Sequence, residues 1–365
     1  MGEMDMKIGV MTGGGDCPGL NAVLRAVVKT AIRKYNFEVI GFRDGYRGLV
    51  KNDYIVMTES SVSGILDRGG TILGSSNKDN PFKFRIEKNG VVEERDMSER
   101  VVENLCVHEI DAMVFIGGDG TLTSARDFSD MGVKVVGVPK TIDNDLNCTE
   151  TTFGFSTAVE TATEAIDKLH STAESHHRAM ILEVMGRNAG WIALHAGLAG
   201  GADVILLPEI PYNIDSVINS LKRRKNMGKN FSIVVVAEGA KPVGGDVVVS
   251  KIVENSPDPV RLGGIGNKVA SDIERLSGIE TRITVLGHLQ RGGRPNAFDR
   301  VLSTRYGVAA VDLVSEGKFG RMVSLKGAEI SSVPIGDAVG SLKLVNYGGE
   351  MVSIAKSIGI QFGDE

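Results

Sequence analysis

Short, mostly apolar runs of five to seven residues recur at 7–12, 38–43, 112–116, 133–138, 179–184, 203–207, 231–237 and 281–286. Stretches of helical period lie between several of them, at 21–34, 156–170, 189–198 and 266–276. That alternation constrains the fold more than any other feature. Strands separated by helices build βαβ units, whose crossovers force parallel pairing and lay helices on both faces of the sheet. The predicted class is therefore α/β, with doubly wound, largely parallel sheets. In such sheets ligands bind beyond the C-terminal ends of the strands. At 365 residues the chain is long enough for two domains with separate cores.

Charge narrows the partners. The balance of 41 Lys and Arg against 46 Asp and Glu leaves a net charge of -5. It argues against a broad nucleic-acid footprint or a polybasic membrane surface. An anionic ligand must then be held by locally gathered Arg and Lys. No run approaches the ~18 apolar residues of a membrane span. Cys17, Cys106 and Cys148 show no CxxC spacing and read as free thiols in a reducing compartment. The first six residues lack the basic and apolar regions of a secretory leader. The expected location is cytoplasmic, with neither nucleic acid nor membrane as partner.

The chemistry-bearing motifs fall at expected strand ends. The first strand runs into Gly13-Gly14-Gly15-Asp16-Cys17-Pro18-Gly19-Leu20-Asn21, followed by a helix. Glycines let backbone N–H groups approach a phosphate, and the helix N-terminus adds a favourable dipole. The turn is not G-x-G-x-x-G, since Pro18 takes the third glycine position, and no Walker A motif occurs. Phe115-Ile116-Gly117-Gly118-Asp119-Gly120-Thr121 repeats the strand, glycine turn, helix pattern. Its Asp119 suits a hard cation such as Mg²⁺, while Gly118 and Gly120 leave room beside it. Next, Lys140-Thr141-Ile142-Asp143-Asn144-Asp145 follows a β-branched run that ends at Pro139. Two carboxylates two residues apart resist joint ionisation. A metal, a proton to abstract or a cationic neighbour would each give them a reason, and Lys140 is either that neighbour or a contact for an anionic substrate. Arg178, Arg187, Arg282, His288 and Arg291 gather near further strand ends. Arginines so placed make bidentate phosphate contacts, and collectively they point to a phosphorylated metabolite.

Taken together, Gly13–Asn21, Gly117–Thr121, Pro139–Asp145, Glu183–Arg187 and Gly287–Gly293 occur in the order and spacing of the 6-phosphofructokinases, so the chain resembles that family over nearly its whole length. It is most similar to the branch that mixes ATP-using and pyrophosphate-using enzymes. The resemblance implies two domains with the active site in the cleft between them. The donor domain would span 1–155 plus about 290–338, and the sugar-phosphate domain 156–289 plus about 339–365. By the same resemblance Asp143 is the general base for the 1-hydroxyl of fructose 6-phosphate, assisted by Thr141 and Asp145. The donor would meet Gly15, Asn77, Lys78, Gly118, Asp119, Gly120 and Thr121, with Mg²⁺ at Asp119. Fructose 6-phosphate would meet Thr141, Asp143, Arg178, Met185, Gly186, Arg187, Glu238, Arg282, His288 and Arg291. Family members form oligomers, commonly tetramers, in which the counterparts of Arg178 and Arg282 serve a neighbouring subunit.

Departures bear on donor and regulation. Family ATP enzymes usually carry an arginine after the Leu-Gly-Ser turn; here Leu73-Gly74-Ser75-Ser76 is followed by Asn77-Lys78, which keeps a charge without the bidentate fork. Of the bacterial effector site Arg25 is retained, but Lys29 and Glu59 replace arginines, and Glu59 would repel an anionic effector. Pyrophosphate enzymes typically have Asp where this chain has Gly120, and Lys where it has Lys140. The two residues disagree. A missing side chain admits the α-phosphate of a nucleotide, whereas a lysine near phosphates serves either donor. The expected donor is therefore ATP, with pyrophosphate as the alternative. A non-catalytic sugar-phosphate sensor would not need Asp119, Asp143 and Asp145.

Overall fold

The computed structural model describes residues 6–88, 91–252 and 260–364. Along the chain lie β1 (Lys7–Thr12), α1 (Leu20–Tyr35), β2 (Glu38–Phe42), α2 (Tyr46–Lys51), β3 (Tyr54–Met57), β4 (Phe84–Lys88), β5 (Val91–Arg95), α3 (Ser98–Val107), β6 (Ala112–Gly117), α4 (Asp119–Asp130) and β7 (Val135–Pro139). Then come α5 (Phe155–His176), β8 (Ala179–Val184), α6 (Trp191–Ala199), β9 (Val204–Leu206), α7 (Ile214–Asn226), β10 (Ser232–Ala237), β11 (Val249–Ile252), β12 (Val260–Leu262), α8 (Ile265–Ser277) and β13 (Thr281–Val285). The remainder holds α9 (Ala297–Ser315), β14 (Arg321–Lys326), β15 (Glu329–Pro334), α10 (Ile335–Ala338) and α11 (Glu350–Ser357). The class is α/β, as the alternating pattern predicts, and a strand forms at each of the eight apolar runs.

Two compact units share the chain. The first runs to Ile142 and adds Leu146–Ser156 and Arg291–Ser341; the second takes Asp143–Asp145, Thr157–Gln290 and the residues from Leu342 on. The first unit is built on a seven-stranded sheet in the order β15-β14-β7-β6-β1-β2-β3. Its inner pairs are parallel, and only the edge pairs β14–β15 and β2–β3 are antiparallel. All residues of β6 and β7 are buried, as a central strand covered on both faces requires. Phe115, Phe128, Tyr46, Met113 and Leu122 form part of its core.

The second unit has a four-stranded parallel sheet in the order β13-β8-β10-β9. Every residue of β8 and β10 is buried. Ile181, Val234, Val236, Val269 and Ile273 form part of a separate apolar core, with α7 and α8 contributing to it.

Helices α1 and α9 pack against each other in the first unit, and Gly307 permits the contact. A Cβ at Gly307 would stand 2.6 Å from Ala26 Cβ and 2.8 Å from the Val23 carbonyl oxygen. Gly307→Ala should therefore lower stability by about 1–3 kcal/mol through overpacking, although alanine is the better helix former. A fall in the urea unfolding midpoint checks this; an unchanged or higher midpoint would show that the helices part freely.

Candidate active site

In the first unit, register brings three loops to one sheet edge. Thr12 lies opposite Ile116, and Gly117 opposite Pro139, so β1, β6 and β7 end side by side. Hydrogen bonds continue past the strands: Gly13 N–H donates to the Ile116 carbonyl and Lys140 N–H to the Gly117 carbonyl, both at 2.9 Å. Both helices that leave this edge, α1 and α4, begin on a glycine with no side-chain cap. Their first N–H groups therefore have no side-chain acceptor at the cap and suit an anion.

Packing accounts for most of the glycines here, but not for Gly120. A Cβ on Gly117 would stand 2.3 Å from Thr121 Cβ, and one on Gly15 would stand 2.8 Å from Arg291 Nη1. At Gly120 a Cβ would meet nothing within 4 Å, and φ lies outside the left-handed region. As an early residue of α4, glycine there costs about 1 kcal/mol relative to alanine with no return from packing. The space beside Asp119 is open.

Lys140 is 3% exposed, and its ammonium donates to the Gly15 carbonyl beneath the glycine turn. Arg291 donates to the Asp16 carbonyl at 3.3 Å, so this expected sugar-phosphate residue lies in the first unit, against the Gly15–Asp16 turn. Asn77 and Lys78 are exposed on a loop secured by Gly14 N–H to the Ser76 carbonyl (3.0 Å) and Ser75 Oγ to the Gly14 carbonyl (2.5 Å). Asp119 is half-buried at the start of α4, and its Oδ1 accepts Gly340 N–H at 3.3 Å. Among the described residues no three His, Cys, Asp or Glu side chains converge as a metal cage. A cation at Asp119 would need phosphate oxygens and water for most of its ligands. That is the habit of Mg²⁺ and not of structural zinc.

The chain crosses to the second unit after Ile142. Burial alternates along this segment: Ile142, Asn144 and Leu146 are buried, while Thr141, Asp143 and Asp145 are half-buried. In the second unit, Glu238 N–H donates to the Val184 carbonyl (2.9 Å) and Gly239 N–H to the Gly186 carbonyl (3.1 Å). These bonds join the turns after β8 and β10, bringing Met185, Gly186 and Arg187 beside Glu238. Met185, Glu238 and His288 line a cavity of about 350 Å³, together with Glu183, Ser250 and Asn267.

Two residues missing from the sequence expectation hold this pocket. Gln290 is fully buried, and its Oε1 accepts Met185 N–H at 2.7 Å. Glu183, 3% exposed, accepts Gly264 N–H at 3.2 Å and Gly266 N–H at 2.8 Å, capping α8 with a carboxylate where the helix dipole favours one. Both lie inside motif segments, Gln290 in Gly287–Gly293 and Glu183 at the head of Glu183–Arg187, so their positions were a signal although neither was expected at the site.

Arg178 and Arg282 lie elsewhere. Arg178 immediately precedes β8, and Arg282 pairs with Met180 near its start, at the end of the sheet opposite Met185, Glu238 and His288. Both guanidiniums reach Glu280, at 2.9 and 2.6 Å, and the bond from Arg178 leads in holding that carboxyl below its usual range. Of the effector-type positions, Glu59 pairs with Lys29 at 3.8 Å and takes a bidentate contact from Arg33 at 2.9 and 2.5 Å.

A family model described as phosphofructokinase matches residues 7–314. The ATP-dependent 6-phosphofructokinase 2 of Clostridium perfringens is 62% identical over 360 residues, covering 98% of each chain. The pyrophosphate–fructose 6-phosphate 1-phosphotransferase of Streptomyces coelicolor is 50% identical over 359 residues, covering 98% of this chain and all of that protein. Among solved structures, Pichia pastoris phosphofructokinase superposes with a TM-score of 0.80 at 32% identity, over 98% of this chain and 37% of that one.

The thiols divide by burial. Cys17 lies inside, where burial pushes its thiol up to about 12, whereas Cys106 and Cys148 are exposed. At pH 8 iodoacetamide should modify Cys106 and Cys148 readily and reach Cys17 only on unfolding, because the thiolate is the nucleophile. Peptide mass mapping reads this, and rapid labelling of Cys17 in native protein would refute it.

Proposed function

The chain belongs to the phosphofructokinase family, and from that premise we infer that it is an ATP-dependent 6-phosphofructokinase, moving the γ-phosphoryl of ATP to the 1-hydroxyl of fructose 6-phosphate. The observation that carries the donor is Gly120, whose glycine the fold does not require and whose missing side chain leaves room for a nucleotide. The ammonium of Lys140 is engaged with the Gly15 carbonyl, a use compatible with either donor.

Phosphoryl transfer asks a protein for positioning and charge stabilisation, with one carboxylate to take the hydroxyl proton. Asp143 takes that proton as the 1-oxygen bonds to the γ-phosphorus and the bond to the β-phosphate oxygen breaks, leaving ADP and fructose 1,6-bisphosphate. Thr141 and Asp145 assist. Uncapped N–H groups at α1 and α4, with Gly15, Asn77, Lys78 and Gly118–Thr121, receive the donor phosphates. Asp119 would hold Mg²⁺, which when bound neutralises phosphate charge. Met185, Gly186, Arg187, Glu238 and His288 receive fructose 6-phosphate, and Arg291 bears on phosphate from the glycine-turn side.

Arg178 and Arg282 complete a neighbouring subunit's site in a homo-oligomer, proposed to be a tetramer. Their position at the far end of the sheet from the pocket of their own chain supports this. The three free thiols support a reducing cytoplasm as the setting, and no helix among the described residues is long and apolar enough to cross a membrane.

Pyrophosphate as donor is the second reading, favoured by Lys140 and by the name of the Streptomyces coelicolor relative. A coupled assay at fixed fructose 6-phosphate should give turnover with ATP at least tenfold above that with pyrophosphate; the reverse order would establish the second reading. Gly120→Asp should cut kcat/KM for ATP roughly a hundredfold or more without lowering thermal stability, since the new side chain enters open space. Asp143→Asn should cut kcat by about 10²–10⁴ with little change in KM for fructose 6-phosphate. Retained turnover in that variant would remove Asp143 from the role of base.

A further inference from the structure

Lys343 belongs to no motif, yet the strap that carries it grips the segment Asp143–Asp145 within the second unit. Its backbone N–H donates to the Asp145 carbonyl, and its ammonium donates to Asn144 Oδ1, both at 2.9 Å. The strap is itself tied down. Trp191 Nε1–H donates to the Lys343 carbonyl at 2.7 Å, and the Lys343 ammonium stands 5.7 Å from the centroid of the Trp191 ring, within cation–π range. Two residues on, Val345 N–H donates to Glu209 Oε1 at 2.8 Å, and Glu209 also accepts Gly190 N–H at the start of α6.

What the ammonium holds is costly to hold. Asn144 is 4% exposed and has φ 51°, in the left-handed region that favours glycine. Its neighbours on either side are the two carboxylates, so the peptide geometry at Asn144 fixes where both are directed. A charge-assisted bond to the amide oxygen of Asn144, with the backbone bond to Asp145, opposes relaxation of that turn.

We propose that Lys343, itself held by Trp191, is a positioning residue for the base: it maintains the left-handed turn at Asn144 and thereby the aim of Asp143. The inference rests on the reading of Asp143 as base. Small misplacement of a reacting group costs rate more than binding.

The test is Lys343→Met, which keeps the aliphatic stem and removes the ammonium. Its kcat should fall roughly tenfold or more, with KM for fructose 6-phosphate and ATP within about twofold of the parent. Asn144→Gly, which adopts the turn without an anchor, should suppress the defect: the double variant should have a kcat within about threefold of Asn144→Gly alone. Undiminished kcat in Lys343→Met, or a double variant showing the full product of the two effects, would overturn the proposal. If Lys343→Met does not fold, Trp191→Phe, which removes the donor to the Lys343 carbonyl and replaces the indole face near the ammonium with a smaller ring, is read by the same split between kcat and KM. Parent protein that turns over with neither ATP nor pyrophosphate would overturn the reading of Asp143 as base, whereas parent turnover with Lys343→Met undiminished would overturn Lys343 alone.

Discussion

The parallel register of β1, β6 and β7 is the constraint on which the donor side depends. Because the three strands end at one level, backbone bonds carry the ladder into the turns, from Gly13 to Ile116 and from Lys140 to Gly117. The glycine turn, the Asp119 turn and the Lys140 turn are thus fixed by main-chain bonds before any side chain contributes. Thr121 then fills the space between Gly13 and Gly117, and a methyl group on either would displace it. The amides that suit a phosphate are consequently held by the most buried part of the first sheet, where no water competes for the ladder bonds.

The second unit reaches the same end by different means. Its sheet is narrower, and the turns after β8 and β10 are joined to each other as well as to their strands. Side chains add what the ladder does not: the Gln290 amide fixes Met185, and the Glu183 carboxylate fixes the start of α8. A buried carboxylate that accepts two N–H groups at a helix terminus offsets much of its desolvation. Removing it would loosen the wall of the pocket as well as the helix.

How much of this was legible in the sequence follows from what an apolar pattern records. Central strands buried on both faces leave a continuous apolar run, and β1, β6, β8 and β10 were readable for that reason. The antiparallel edge strands β3 and β15 were not, since most of their residues are half-buried or exposed and no clear run marks them. Motif residues at strand ends were legible because their types are unusual there. Lys343 and Trp191 were illegible: they act through bonds between segments some 150–200 residues apart, and nothing local announces such a pairing.

Packing sharpens the contrast between Gly120 and Lys140. In the sequence the two residues point to different donors, and Gly120 carries more weight because a missing side chain admits a nucleotide while a lysine serves either donor. In the structure Lys140 has an internal employment, buried beneath the glycine turn with its ammonium on the Gly15 carbonyl. Gly120 has none: no neighbour crowds its missing side chain, its backbone needs no left-handed conformation, and it weakens the helix it begins. A residue that costs stability and returns no packing is explained by something outside the protein. The open space beside the half-buried Asp119, where a Cβ on Gly120 would meet nothing within 4 Å, is what the proposed nucleotide donor would use.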